Sequence, residues 1–162
     1  MANSATGCSA GGGGIVSVNK TDTFSMASTT FADLTGLSAS ITPSATSSKI
    51  LVIVNLNNGG NTQSQTFARI LRDAVVILEG DAGGNRTQAS IGMTVITPSS
   101  DNTMSSGITY LDSPSSTSAL TYKVQVAAET GTTITINKSV NDADTSTINR
   151  SVSSLTLIEV LA

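Results

Sequence analysis

Histidine and tryptophan are absent from this 162-residue chain, and cysteine occurs once, as Cys8. Without imidazole there is neither the usual near-neutral proton shuttle nor a histidine metal ligand. One thiol forms neither an internal disulfide nor a thiolate metal cluster. Charged residues are also scarce, 12% against the roughly 25% usual in soluble proteins. The eight Lys and Arg form no basic run and the net charge is −3, which argues against a surface that neutralises nucleic-acid phosphates. Aromatics make up 3%, too few for the stacking platforms of a typical sugar-binding module. Tyr110 is the one aromatic expected at a rim, because Tyr122 lies on an apolar stripe. The longest apolar run, residues 50–54, is far shorter than the ~20 residues of a membrane helix. The N-terminus lacks the cationic start and apolar stretch of a secretory signal.

What remains is rich in strand formers. Ser and Thr together number 49, and Val, Ile and Thr also sum to 49, whereas there are three Glu and four Lys. Residues 1–14 are small, end in four glycines and read as a flexible arm. Residues 15–162 read as a single domain of alternating strands and turns. Strands are expected at 15–18, 23–26, 31–42, 49–55, 66–72, 75–79, 87–96, 106–111, 120–127, 132–137 and 153–161. The non-alternating run 50–54 predicts a central strand buried on both faces. Asn57 to Thr62 reads as a loop, and Asp73-Ala74 as a tight hairpin turn. No helix longer than a turn is expected, and turn signals every 8 to 15 residues suit an antiparallel β-sandwich or jelly roll. Lys and Glu usually protect exposed sheet edges from pairing with other chains. Their scarcity predicts a homo-oligomer whose copies cover one another.

Catalytic constellations are missing. Gly-x-Ser-x-Gly does not occur, no base serves the many serines, and the 11 carboxylates form no recognisable pair, so no enzyme activity and no cofactor are expected. Asp142-x-Asp144 partly matches the start of a calcium loop, but Thr147 replaces the glycine at the sixth position and Ser153 the glutamate at the twelfth. A solvated turn is the preferred reading there, with a calcium site at Asp142 and Asp144 as the alternative.

The stretch Phe31-Ala-Asp-Leu-Thr-Gly-Leu-Ser-Ala-Ser-Ile-Thr-Pro-Ser, followed by Ser48-Lys-Ile-Leu-Val, resembles the opening of a small domain of tailed-bacteriophage virion proteins, notably those of aquatic phages. Further on, Arg72-Asp73, Gly80-Asp-Ala-Gly-Gly-Asn-Arg-Thr, Tyr110-Leu-Asp-Ser-Pro, Thr121-Tyr-Lys-Val-Gln, Asn141-Asp-Ala-Asp and Leu155-Thr-Leu-Ile-Glu-Val resemble the same domain in the same order, over residues 20–162. The resemblance implies a β-sandwich of jelly-roll type that assembles as a homotrimer, and it supplies no catalytic residues. Tail-fibre subunits carry a long N-terminal part, whereas about 19 residues precede the domain here. The expectation is therefore a capsid decoration (cement) protein on the virion surface, made in the host cytoplasm, that bridges neighbouring capsid subunits. Its partners would be other virion proteins, with no nucleic acid and no membrane. A receptor-binding tail-fibre tip, which would meet a host-surface glycan, is the alternative, and a carbohydrate-binding module comes third. Ala10, Gly11, Gly12, Gly13, Gly14, Ile15, Val16, Ser17 and Val18 are the expected anchoring segment. Arg72, Asp73, Asp81, Arg86 and Asp112 are expected to fix turns and subunit contacts.

Overall fold

A computed structural model describes residues 6–8, 14–60, 64–95 and 99–161. Within them the chain forms twelve strands: β1 (Thr6–Cys8), β2 (Ile15–Lys20), β3 (Phe24–Met26), β4 (Ala32–Ile41), β5 (Lys49–Gly59), β6 (Ser64–Arg72), β7 (Val75–Leu78), β8 (Ile91–Val95), β9 (Thr103–Asp112), β10 (Leu120–Ala128), β11 (Ile134–Ile136) and β12 (Ser153–Val160). All pairings are antiparallel.

Two sheets pack face to face. The first runs β1-β2-β12-β5-β9, and β11 and β3 extend it where β5 outruns β12. The second runs β4-β10-β6, with β7 and β8 sharing the far side of β6. The alternation of β10 and β12 explains the layering. Leu120, Tyr122, Val124 and Val126 point inward from one sheet, and Leu155 and Leu157 from the other. Ile50, Val52, Val54 and Leu56 complete the middle of the core, all at most 1% exposed.

Three local expectations are corrected. The stretch 57–59 is strand, not loop. β5 continues because the Asn57 N–H donates to Ser153 Oγ (3.0 Å), and because Gly59 has no side chain where the Lys138 carbonyl and the Thr135 hydroxyl come close. Residues 87–90 precede β8 instead of belonging to it. There Ser90 caps an irregular register of β6 and β7, accepting from Ile70 N–H (3.0 Å) and donating to the Leu78 carbonyl. Finally, β5 is central but not buried on both faces. Its inward residues are enclosed, whereas Leu51 and Ile53, on the opposite face, are only half-buried.

Candidate interaction surface

The outer faces of the two sheets differ in chemistry. On the second sheet, the Asp33 carboxylate accepts from Lys123 Nζ (2.9 Å) and Gln125 Nε2 (2.6 Å), and Gln125 Oε1 accepts from Arg69 Nε (2.9 Å). The Arg69 guanidinium lies 4.3 Å from the centroid of the Phe31 ring. Lys123 first, then Gln125, holds the Asp33 carboxyl below its usual range. This is an ordinary ionic, hydrated surface.

Among the described residues, the first sheet has no such ionic network on its outer face. Register places Ile15, Ile158, Leu51 and Leu111 side by side across β2, β12, β5 and β9, forming one apolar row. The next row is Ser17, Thr156, Ile53 and Thr109, with Ser17 and Thr156 hydroxyls 2.9 Å apart. Asn19, Ser154, Asn55 and Gly107 follow. Beyond the apolar row, Val160 pairs with Lys49, the sole charged residue at the outward positions of these four strands. The face is thus apolar at one end, hydroxyl-rich in the middle and amide-rich at the other end.

Two polar clusters hold this sheet in place. Asp112 ends β9, and its Oδ2 accepts from Tyr122 Oη and Arg72 Nη1 of the second sheet, each at 2.7 Å. Asp112 is buried, so this triad bolts the sheets together at one edge. Burial, then the Asp112 carboxylate, pushes the Tyr122 phenol up and keeps it protonated. At the apolar end, buried Glu159 accepts from Ser44 Oγ and Ser44 N–H, both at 2.6 Å, and from Gly14 N–H at 3.3 Å. The Ser44 hydroxyl first, then its N–H, the Ser48 hydroxyl and the Gly14 N–H pull the Glu159 carboxyl down to about 2 against the opposing effect of burial.

The residues singled out by sequence fall in different places. Gly14, Ile15, Val16, Ser17 and Val18 enter and form β2, whereas Ala10, Gly11, Gly12 and Gly13 lie outside the described residues. Thr6–Cys8, within the expected arm, pairs with β2, with Cys8 opposite Ile15. Asp73 turns the β6–β7 hairpin at φ 55° and exchanges hydrogen bonds with the Thr121 backbone, its N–H to the carbonyl at 2.7 Å and its Oδ1 from the N–H at 2.9 Å. Arg86 folds back onto the Gly83 carbonyl (2.9 Å), and Asp81 is exposed in the same loop. Only Arg72 and Asp112 of these five come together. Tyr110 is half-buried, on the inward side of β9.

Asp142 is engaged by two cations, Lys138 through Oδ2 (3.3 Å) and Arg150 through Oδ1, and Arg150 first, then Lys138, holds it below its usual range. Asp144 is exposed, and no group of three metal-binding side chains occurs among the described residues. Sequence reasoning missed Glu159 and the apolar row. The run 50–54 carried the signal for an apolar outer face, since its extra apolar residues are the outward Leu51, in that row, and Ile53, in the next. No family model matches the chain, and no curated protein matches it.

Proposed function

We propose that this chain is a structural protein of the bacteriophage virion surface, a homotrimeric jelly roll that decorates the capsid and bridges neighbouring capsid subunits. The observation that carries self-assembly is β9. It pairs with β5 alone among the described residues, and residues 103–111 contain no charge to deter a further pairing. A strand border of this kind requires a cover. The jelly-roll reading is supported by the winding of the chain. β2, β5, β9 and β12 belong to one sheet, β4, β6 with β7 and β8, and β10 to the other, so that successive segments cross between sheets. The virion assignment and the threefold state rest on the ordered motifs between residues 20 and 162.

In this role the protein works by binding rather than by chemistry. Each attachment adds an interface that only the intact lattice provides, so mass action favours that lattice. Three copies per assembly multiply weak single contacts through effective concentration. The test is quantitation of the chain in purified virions. Decoration requires hundreds of copies per particle. A few dozen would move the protein to a tail fibre, and absence would overturn the virion reading.

A further inference from the structure

We infer that the outer face of β2-β12-β5-β9 is the surface through which copies of this chain pack on one another. The inference deepens the self-assembly proposed above and rests on it.

Three features select this face and its occupant. The first is an internal contrast. The charges on outward strand positions gather on the second sheet as the Asp33, Lys123 and Arg69 network, while the first sheet places only Lys49 at its margin. Ile15 and Leu111, at the two ends of the apolar row, are 45% and 43% exposed in the single chain, and Val160 beside them is 40% exposed. The second feature is self-complementarity. Hydroxyl and amide side chains both donate and accept, so a face built from Ser17, Thr156, Thr109 and Asn55 can satisfy its groups against the same chemistry on a copy. No like charges meet in such an apposition. A strongly charged partner would find no counter-ions here, and a sugar would find no aromatic ring.

The third feature is size. The 6, 8, 11 and 10 residues of β2, β12, β5 and β9, with β1 beside them, cover roughly 600 Å² in projection at ~3.3 Å rise and ~4.8 Å strand spacing. Around a threefold axis each face is shared between two neighbours, so three faces bury about 1,800 Å² in all, roughly 600 Å² in each of three contacts that hold in concert. In a threefold ring the row faces the axis, and its exposed ends, Ile15 of one copy and Leu111 of the next, close the contact. Such a heterologous contact closes on itself after three copies.

The experiment compares native mass spectra of the full chain with those of Ile158→Lys, Ile15→Lys and, as a control on the opposite sheet, Thr35→Lys. Thermal melting verifies that each variant is folded. The inference expects the parent and Thr35→Lys to assemble alike, and both face variants to dissociate with a loss of affinity of about 100-fold or more. Hydroxyl-radical footprinting of the parent adds a reading that needs no variant: Leu51, Leu111 and Ile158 should be shielded when assembled and react on dissociation. An assembled parent with assembled face variants, or with these three residues reactive, overturns the choice of face and leaves self-assembly standing. A monomeric parent overturns self-assembly itself, and this inference with it.

Discussion

Glu159 stands where three segments meet, the entry to β2, the turn after β4 and the end of β12, and its ionisation is tied to all three. A carboxyl held at about 2 when folded and near 4.5 when unfolded stabilises the fold fully above pH ~4.5 and loses that contribution as the pH falls toward 2. The shift corresponds to on the order of 2 kcal/mol after allowance for solvent screening. Glu159→Gln should therefore melt several degrees lower than the parent at pH 7 and converge with it near pH 2; parallel melting curves across that range would contradict the role given to the carboxylate. The Tyr122–Asp112–Arg72 triad gives a second residue-scale test. Tyr122→Phe leaves the ion pair and should cost about 1 kcal/mol, whereas Asp112→Ala strands a buried phenol and a guanidinium and should cost about 3 kcal/mol, both read from urea denaturation. Equal costs would mean that Asp112 does not anchor both groups. Glu159 could not be foreseen from sequence, because its partners lie 115 and 145 positions away.

At the scale of the element, β5 organises the first sheet, flanked by β9 on one side and by β12 and then β11 on the other. Its continuation through Gly59 depends on the missing side chain, so Gly59→Ala should destabilise by about 2 kcal/mol as a Cβ meets the Lys138 carbonyl. A neutral substitution would show that the segment gives way. Alternating strands such as β10 and β12 were legible because period-two patterning reports which face is wet. β5 was legible as central but not in which face is covered, since apolar residues on both sides look the same whether the cover is intramolecular or a neighbour. The stretch 57–59 was misread because Asn and Gly are turn residues by local preference, and here tertiary hydrogen bonds outweigh that preference. Amide exchange gives the element-level check. β5 and β10, paired on both sides, should exchange slowest, while the free-edge amides of β9 should be protected in the assembled protein and quick in the dissociated chain.

The molecule as a whole is a sandwich whose two outer surfaces solve different problems. One carries the charges that keep a protein in water, and the other carries rows of aliphatic, hydroxyl and amide groups with hardly any charge. The scarcity of Lys and Glu raised the expectation of self-association from composition alone, whereas the division of charge between the sheets appeared only once register was known. Sedimentation of the full-length chain from high nanomolar to tens of micromolar concentration tests the central claim most directly. The account predicts one dominant species near three times 16.4 kDa throughout most of that range. A single monomeric boundary at tens of micromolar would contradict it.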